Sequence, residues 1–586
     1  MKDRIVIQIT GAAGFGIKTS GLVITKALKR AGYYTFGYTE YPSLIRGGHN
    51  IFQIDISTQE FASVSNKLHV LLALDQNSID LHALEIEEKG VLIYDEETCT
   101  INDQIRVELD RKKIETFPLK LLDLAQGVGG SGIMKNTVTL GALWSVLDQD
   151  IEILNTMIKE IFSHKSEEII NLNLACIKTG YDALKSKKES FDLKPSTDVN
   201  VKNKMIISGN EAIGLGAIAC GVRLYSSYPM TPASSILSFL ATEGSKQGMV
   251  VKQAEDEITA ANMVIGASFA GTRAMCATSG GGFDLMTESL SLAGMTETPF
   301  VVVLAQRPGP ATGAPTWTAQ SDLNLALYGG HGEFPRIVLA PGDTEECFKM
   351  TAEAHNLAEK FQTPVILLTD KYLGESFYET DILSENDISI DRGLLLNPST
   401  IEDKESANKL RYQINESGIS ERWLPGDKIA TFLANSDEHT EKGYSTEDAE
   451  PIADMVNKRT NKYQSILQSV PEPEMFGDEL KSSEVLIISW GSNKRVIIDA
   501  QNSLRKEGIK TAFMHVNYIW PLKGLFIAKM IADAEQVVIF ECNSTGQFAK
   551  LLESETGLKL ENRVLKFDGR PFYIEEVINS LKNYIS

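Results

Sequence analysis

Strand-like apolar runs alternate with segments of helical periodicity in three separate regions of the chain. This alternation favours stacked α/β domains with mostly parallel sheets, because parallel strands need helical crossovers between them. The strand-like runs span residues 5–9, 69–74 and 90–94 in the first region, 205–208, 274–278, 300–305 and 363–368 in the second, and 485–489, 511–516 and 536–540 in the third. The sequence therefore predicts a multidomain α/β protein.

Changes in composition predict where these regions end, and a length of 586 residues suits three or four domains. Residues 1–187 are interpreted as the first α/β domain, and the polar stretch 188–203 is typical of a linker. The second domain spans residues 204–384. Residues 385–480 have little periodic apolar content, which favours a long connecting segment, and residues 481–586 form the third domain.

The charge of the chain narrows the choice of partners. The 57 Lys and Arg residues stand against 78 Asp and Glu, a formal net charge of −21. A field of this sign repels phosphate backbones and anionic lipid, which argues against nucleic acid and membrane surfaces. No apolar run reaches the roughly 18 residues of a membrane span, and the N-terminal stretch lacks the apolar core of a secretory signal. We therefore expect a cytoplasmic protein.

The cysteines are spread singly along the chain, at Cys99, Cys176, Cys220, Cys276, Cys347 and Cys542. They form none of the closely spaced pairs that supply zinc or iron–sulfur ligands from one loop. We expect reduced, buried thiols and no metal site in this chain.

A glycine-rich loop, residues 11–21, lies between a predicted strand and a predicted helix, where backbone amides can converge on a phosphate. Ile17 separates Lys18 from the last glycine that a Walker loop would need beside it, and Thr19 takes the place of the third glycine of the dinucleotide fingerprint. Two interpretations stay open, a tight turn with close helix packing and contact with an anion or coenzyme.

A second turn, residues 41–50, places a cation and an imidazole, Arg46 and His49, around two glycines. Such a turn could contact an acidic group. A structural turn or a subunit contact is an equally good interpretation.

Residues 228–232 read Tyr-Pro-Met-Thr-Pro and follow the strand-like run 220–227. Two prolines fix the backbone around Thr231 and present its hydroxyl at the carboxyl end of a parallel sheet, where ligands of such folds bind. One of the two serines that follow, Ser234 or Ser235, is interpreted as the N-cap of the next helix.

Three consecutive acids, Glu255, Asp256 and Glu257, open an alanine-rich helix that is predicted to run to about residue 270. Carboxylates in the first turn suit the positive end of the helix dipole. The apolar sequence that follows would partly bury one of them, and a half-buried carboxylate can hold or pass a proton.

Two further polar residues follow predicted strands. Ser279 precedes three glycines after the run 274–278, and Arg307 follows the run 300–305 with its backbone restrained by Pro308. A guanidinium held in this way can bind a carboxylate. Each residue could have a purely structural role, but together with Thr231 they would mark three strand ends that converge on one crevice.

These segments together resemble the alpha subunit of the 2-oxoacid:ferredoxin oxidoreductases, in the form that carries a gamma-type domain before the alpha part. Residues 228–232 match the signature Tyr-Pro-x-Thr-Pro, and the family's further motifs follow in order at 255–258, 277–281 and 307–313. The loop 11–21 is similar to the gamma domain's glycine loop, although Ala13 replaces a glycine. Segments at 416–420, 520–521, 541–547 and 568–571 extend the resemblance over nearly the whole chain.

The resemblance implies a thiamine diphosphate enzyme that oxidatively decarboxylates a 2-oxo acid, forms the acyl-CoA and passes electrons to ferredoxin. It implies a pyrimidine-binding domain at residues 204–384 and a transketolase C-terminal-like domain at 481–586. A beta subunit would hold the diphosphate, magnesium and a four-iron, four-sulfur cluster, in a heterodimer or dimer of heterodimers. The chain has no Gly-Asp-Gly, the usual start of the diphosphate motif, so alone it is expected to be inactive.

The resemblance also implies roles for individual residues. Glu257 would hydrogen-bond N1′ of the aminopyrimidine and so set the reactivity of the cofactor. Thr231 and Arg307 would bind the oxo and carboxylate oxygens of the substrate. The further residues expected to contact the cofactor are Tyr228, Pro229, Ser279 and Gly280.

Two other functions remain possible at this point. A thiamine-dependent carboligase or transketolase-like enzyme would need a diphosphate motif within this chain. A non-catalytic scaffold of an electron-transfer complex would leave Thr231, Glu257 and Arg307 without a role. The third domain, with Asn543, Gly546 and Gln547 in a strand-end loop, is interpreted as structural, with ferredoxin or coenzyme A access as the alternative.

Overall fold

The computed structural model describes residues 4–44, 47–185, 201, 203–400 and 407–585. Arg46, the cation of the second turn, lies outside the described residues. The chain divides into two compact units. Unit 1 comprises Met1–Ile207, Ser376–Ile382 and Tyr573–Glu575, and unit 2 comprises Ser208–Glu375, Leu383–Phe572 and Glu576–Ser586.

The strands are β1 (Arg4–Ala12), β2 (Tyr34–Glu40), β3 (His49–Ser57), β4 (Leu68–Ala73), β5 (Ile86–Asp95), β6 (Glu115–Leu119), β7 (Met205–Ser208), β8 (Leu224–Ser227), β9 (Val250–Gln253), β10 (Ala274–Thr278), β11 (Phe300–Gln306), β12 (Ile337–Leu339), β13 (Pro364–Asp370), β14 (Phe377–Thr380), β15 (Glu474–Gly477), β16 (Val485–Ser489), β17 (Thr511–His515), β18 (Tyr518–Trp520), β19 (Val537–Glu541) and β20 (Arg563–Leu565).

The α-helices span Ile17–Ala31, Gln76–His82, Asp103–Arg111, Leu121–Gly127, Lys135–Val146, Ile151–Ile161, Glu167–Leu184, Gly209–Ala219, Ser234–Thr242, Glu257–Phe269, Gly280–Leu285, Thr287–Met295, Leu323–Tyr328, Thr344–Phe361, Lys371–Glu375, Ala449–Ser469, Asn493–Lys506, Gly524–Asp533, Gln547–Thr556 and Ile574–Lys582.

Unit 1 is built on a mixed sheet. Over the described residues its strand order is β6-β5-β4-β1-β3-β2-β14-β7. Strand β1 pairs parallel with β4 and antiparallel with β3, where Ile5 lies opposite Ile56. The late strand β14 pairs antiparallel with β2 through Phe377 and Gly37, so the chain returns to this sheet after forming much of unit 2.

Unit 2 contains two sheets among the described residues. One has the order β18-β12-β13-β11-β10-β8-β9 and the other has the order β15-β17-β16-β19-β20. In the first sheet all pairs from β12 to β9 are parallel, and β18 is antiparallel to β12. Strands β10, β11 and β13 are buried along their whole length, as expected of parallel strands with both faces covered. The prediction of a multidomain α/β fold is confirmed.

Individual strand predictions differ from the structure mainly at their ends. The runs 274–278 and 485–489 coincide with β10 and β16. The predicted strand 220–227 is wrong over its first half, because β8 begins only at Leu224. Cys220 caps the preceding helix and Gly221 has a left-handed φ of 83°, which ends that helix before the strand starts.

The segment 385–480 contains a helix of 21 residues, Ala449–Ser469, that the sequence analysis did not detect. Several of the side chains that it buries are charged, including Lys458 and Lys462, so its apolar periodicity is weak. Both ammonium groups contact the carboxylate of Glu297, with Nζ–O distances of 2.6 Å for each lysine. Arg411 donates to the Glu297 carbonyl at 3.0 Å. This buried ion cluster joins the helix to the body of unit 2.

The described part of the chain offers no helix of sufficient length and apolarity to cross a membrane. It also holds no group of three or more His, Cys, Asp or Glu side chains arranged for a metal ion. The six cysteines are buried and form no disulfide.

Candidate active site

Four polar residues named from the sequence follow neighbouring strands of the parallel sheet of unit 2. Strands β9, β8, β10 and β11 lie side by side and run in the same direction. Glu257, Thr231, Ser279 and Arg307 come after their carboxyl ends. The structure therefore brings all four to one edge of the sheet, the position where open α/β sheets bind ligands.

Thr231 and Arg307 are in direct contact. Nη1 of Arg307 donates to the backbone carbonyl of Thr231 at 2.7 Å. Arg307 is 9% exposed, and burial lowers the pKa of its guanidinium while the charge of Asp322 opposes that shift. The guanidinium is thus a fixed, partly desolvated cation, suited to pairing with an anionic group.

Asn210, which the sequence analysis missed, donates hydrogen bonds to the loop that contains Thr231. Its Nδ2 donates to the Pro232 carbonyl at 2.9 Å and to the Ser235 hydroxyl at 2.7 Å. The interpretation of Ser234 or Ser235 as the N-cap is wrong, because Ala233 precedes the helix and no side chain caps it. Asn210 lies on a distant helix, so no local pattern could reveal this contact.

The three acids at the start of the helix Glu257–Phe269 have different environments. Asp256 is the N-cap and accepts from the Thr259 amide at 2.7 Å. Glu255 is exposed and accepts weakly from the Thr259 hydroxyl at 3.3 Å. Glu257 is only 3% exposed, which confirms the prediction that the apolar helix buries one acid.

The Glu257 carboxylate is unusual for a buried acid because one of its oxygens is not hydrogen-bonded within the described part of the chain. Its Oε1 atom is buried and has no hydrogen-bond partner among the described residues. A buried carboxylate without a partner is costly. Oε1 of Glu257 therefore keeps an acceptor position that no donor in the described residues uses.

The glycine loop after β10 is shaped by the side chains around it. Ser279 is fully buried and precedes the helix Gly280–Leu285. Its hydroxyl finds no hydrogen-bond partner within the described parts of the chain. A Cβ on Gly280 would lie 2.6 Å from Oδ2 of Asp322, so this side of the loop has room only for glycine. Tyr228 and Pro229, by contrast, are exposed.

Asp322 is a further acid at this edge of the sheet. Its backbone amide donates to Oε1 of Gln306, the last residue of β11. Burial raises the pKa of its carboxyl group to about 6, although Arg307 acts in the opposite direction. The sequence analysis missed Asp322 because the irregular stretch after Arg307 carries no periodic apolar pattern, and the helix that Asp322 precedes, Leu323–Tyr328, has only six residues.

Replacing Asp322 should stabilise the fold of the chain, purified without a partner, at neutral pH. Between pH of about 4 and 6 the folded Asp322 holds a proton that the unfolded chain has lost, so stability falls as the pH rises through this range. Asp322→Asn should remove this cost and raise the free energy of unfolding by about 3 kcal/mol at pH 7, with little change below pH of about 4. Urea unfolding at both pH values measures the effect.

The exposed neighbour Asp284 provides the control for this prediction. Asp284→Asn should change the free energy of unfolding by less than about 0.5 kcal/mol. If Asp322→Asn destabilises the chain at pH 7, its ionised carboxylate stabilises the fold and the argument from burial is wrong.

Comparison with known proteins covers both units. The family model described as "Pyruvate ferredoxin/flavodoxin oxidoreductase" matches residues 6–183. The model described as "Pyruvate flavodoxin/ferredoxin oxidoreductase, thiamine diP-bdg" matches residues 215–458. The second match contains Thr231, Glu257, Ser279 and Arg307.

Named relatives align along the whole chain. The alpha subunit of 2-oxoacid:ferredoxin oxidoreductase 2 from Aeropyrum pernix is 31% identical over 99% of this chain and 98% of its own length. The alpha subunit from Sulfolobus sp. is 34% identical over 99% and 96%. This chain belongs to the 2-oxoacid:ferredoxin oxidoreductase alpha-subunit family. A solved member, the 2-oxoglutarate:ferredoxin oxidoreductase of Magnetococcus marinus with 2-oxoglutarate, coenzyme A and succinyl-CoA bound, is 33% identical, covers 100% of both chains and has a TM-score of 0.91.

In the present chain, the loop that follows β19 forms hydrogen bonds within unit 2. Oδ1 of Asn543 accepts a hydrogen bond from the Gly546 amide at 2.8 Å, and its Nδ2 donates one to the Gln320 carbonyl at 3.1 Å. Gln547 donates to the Ser321 carbonyl at 2.8 Å. These bonds anchor the loop to the stretch just before Asp322, which supports the structural interpretation of the third region.

In unit 1 of the present chain, a cavity of about 440 Å³ lies over the glycine-rich loop of residues 11–21, and Lys18 and Thr19 line it. A Cβ on Gly21 would lie 2.2 Å from the Phe52 ring, so close helix packing is confirmed at this position. Contact of the loop with an anion or coenzyme stays a prediction. The imidazole of the second turn has a neighbour in unit 1, because His49 Nε2 lies 2.7 Å from His82 Nε2.

Proposed function

We propose that this chain is the alpha subunit of a heteromeric 2-oxoacid:ferredoxin oxidoreductase. The reaction converts a 2-oxo acid and coenzyme A to acyl-CoA and CO2, and two electrons leave singly to two oxidised ferredoxins. Relatives named for this activity match the chain over its full length. The observation that carries the assignment is the buried Glu257 carboxylate, whose Oε1 has no hydrogen-bond partner among the described residues, at the same sheet edge as Thr231 and Arg307.

The residues at this edge fit the aminopyrimidine side of thiamine diphosphate. A buried acceptor at Glu257 suits a ring nitrogen that must be held protonated, and the exposed Tyr228 and Pro229 with the loop at Ser279 and Gly280 would border the ring. When bound, this cofactor supplies an electron sink for the decarboxylation. Glu257 would hold the proton at N1′, a role that needs a carboxylate fixed in place and shielded from water.

Thr231 and Arg307 would position the substrate. The guanidinium of Arg307 would pair with the carboxylate of the 2-oxo acid, and the Thr231 hydroxyl would contact the oxo oxygen. The 2.7 Å hydrogen bond from Arg307 to the Thr231 carbonyl links the two residues directly. This arrangement supports orienting the carboxylate so that the bond to be broken stands perpendicular to the cofactor ring.

Arg307→Ala should weaken binding of the 2-oxo acid to the assembled enzyme by roughly 10- to 150-fold, because it removes a charge-assisted hydrogen bond. Arg307→Lys should restore little, since an ammonium lacks the planar fork. Thr231→Val should lower turnover without changing assembly. Steady-state kinetics on each variant measures these effects. Unchanged constants for both Arg307→Ala and Thr231→Val would remove these residues from the active site.

We also propose that a beta subunit completes the site. It would hold the diphosphate, magnesium and a four-iron, four-sulfur cluster, in a heterodimer or a dimer of heterodimers. Exposed apolar side chains on β9 and on the helix that follows it support a docking surface, since Val250 at the start of β9 is 61% exposed and Ile258, next to Glu257, is 48% exposed. Within the chain, residues 204–384 would bind the pyrimidine ring and residues 481–586 would form the transketolase-like domain.

The purified chain without its partner should bind neither iron nor thiamine diphosphate tightly. Its cysteines are scattered and buried, and the diphosphate site would lie on the other subunit. Iron analysis and calorimetric titration with thiamine diphosphate and magnesium measure this. Stoichiometric iron, a brown colour or tight cofactor binding by the isolated chain would contradict the proposal that these sites lie on the beta subunit.

The assembled enzyme tests the whole assignment against its alternatives. Reduction of a low-potential viologen should require both a 2-oxo acid and coenzyme A. A carboligase would consume the 2-oxo acid without reducing the dye. For a scaffold subunit, replacing Glu257 or Arg307 would leave dye reduction unchanged.

A further inference from the structure

The glycine loop after β10 contains a position whose missing side chain leaves room for the Glu257 carboxylate. A Cβ on Gly282 would lie 2.6 Å from Oε1 and 2.7 Å from Cγ of Glu257, and 2.0 Å from Oγ1 of Thr278. Such distances do not occur between real atoms, so any side chain at this position must displace its neighbours. Gly282 lies inside the helix Gly280–Leu285 and is not among the residues with a left-handed φ. Space, and not backbone freedom, is therefore the reason for glycine here.

Thr278 and Glu257 face this position from two different elements. Thr278 is the last residue of β10 and is fully buried, and Glu257 is the first residue of its helix. Thr278 Oγ1 and Glu257 Oε1 are both buried without a hydrogen-bond partner in the described residues. The two oxygens form no hydrogen bond with each other in this structure, so a bond from the Thr278 hydroxyl to the carboxylate needs a movement of one of the two side chains.

We propose that Gly282 and Thr278 are positioning residues for Glu257. Gly282 would leave the space that the carboxylate occupies, and the Thr278 hydroxyl would supply a donor beside it. These two residues would then orient the carboxylate for the cofactor ring. This inference rests on the proposed role of Glu257.

The test compares two adjacent glycines of the same short helix in the assembled enzyme. A Cβ on Gly281 would have nothing closer than the Ala311 carbonyl at 4.0 Å, so Gly281→Ala is a matched control. We expect Gly282→Ala to slow exchange of the cofactor's C2 proton by about 10²-fold, the scale of a 1 Å misplacement, and to weaken thiamine diphosphate binding. Gly281→Ala should change both by less than about twofold.

Thr278 provides a second variant that keeps the shape of the site. Thr278→Val should slow the exchange by roughly 3- to 10-fold, as expected for one lost hydrogen bond, and Thr278→Ser should restore most of the rate. This pair decides the question if Gly282→Ala fails to assemble. Equal rates for Thr278→Val and the unaltered enzyme would then overturn the inference.

A double-variant cycle separates this inference from the function on which it rests. If Gly282 acts through Glu257, the variant Glu257→Gln with Gly282→Ala should exchange at the rate of Glu257→Gln alone. A further loss of the full Gly282→Ala factor would show an independent effect and overturn the inference. If Glu257→Gln slows exchange but Gly282→Ala and Thr278→Val do not, only the inference fails. If Glu257→Gln has no effect, the proposed role of Glu257 fails with it.

Discussion

Glu257→Gln should slow exchange of the cofactor's C2 proton by about 10²- to 10⁴-fold in the assembled enzyme, the usual cost of losing an acid–base group. The amide has nearly the shape of the carboxylate, so the buried site and subunit assembly should persist. An amide cannot hold the proton at N1′ as a carboxylate does. Exchange into deuterium oxide, followed by acid quench and proton NMR of the cofactor, measures the rate.

Glu255→Gln is the matched control for this experiment. Glu255 lies two residues earlier in the chain, just before the N-cap Asp256, and its side chain is exposed. Its substitution should change the exchange rate by less than about twofold. An unchanged rate in Glu257→Gln with a large loss in Glu255→Gln would transfer the role to Glu255, and no loss in either variant would remove it from this helix.

Glu297→Gln should lower the free energy of unfolding by about 3 to 5 kcal/mol, because it leaves two buried ammonium groups without their counter-charge. Glu297, Lys458 and Lys462 are at most 1% exposed. Burial alone would raise the pKa of Glu297, but Lys462, Lys458 and Arg411 outweigh burial and hold it well below its usual value. Urea unfolding followed by tryptophan fluorescence measures the loss.

The depressed pKa of Glu297 also sets the pH dependence of this contribution. An acid whose folded pKa lies below its unfolded value stabilises the fold fully above the unfolded pKa of about 4.3, and the stabilisation is lost as the pH falls. The exposed pair Lys349–Glu345 is the control, since Glu345→Gln should cost less than about 1 kcal/mol. Equal effects of the two substitutions would show that the buried cluster does not hold unit 2 together.

Much of the sheet edge could be predicted because its signals are local. Apolar runs identified β10 and β11, and the polar residues directly after them marked their carboxyl ends. Two prolines around Thr231 and the three acids before an apolar helix were also visible in short stretches of sequence. Parallel strands then bring such ends together whatever the rest of the fold does.

The contacts that shape the site could not be predicted in this way, because they join distant segments. Asn210 holds the Thr231 loop from another helix, and Asp322 reaches Gly280 across the loop after β11. In the sequence Gly282 is one of three consecutive glycines, and only the structure shows that its missing side chain leaves room for Glu257. The helix Ala449–Ser469 was missed because its buried positions carry charges, which pair with Glu297 and Glu438 from distant parts of the sequence.

The structure of the assembled enzyme with thiamine diphosphate tests the central claim most directly. The decisive measurement is the distance between N1′ of the aminopyrimidine and the nearest carboxylate oxygen. We predict that this oxygen belongs to Glu257 and lies within about 3.2 Å of N1′, with Gly282 against the same carboxylate. A ring bound elsewhere, or an N1′ that faces Glu255, Asp256 or no carboxylate of this chain, would contradict the account.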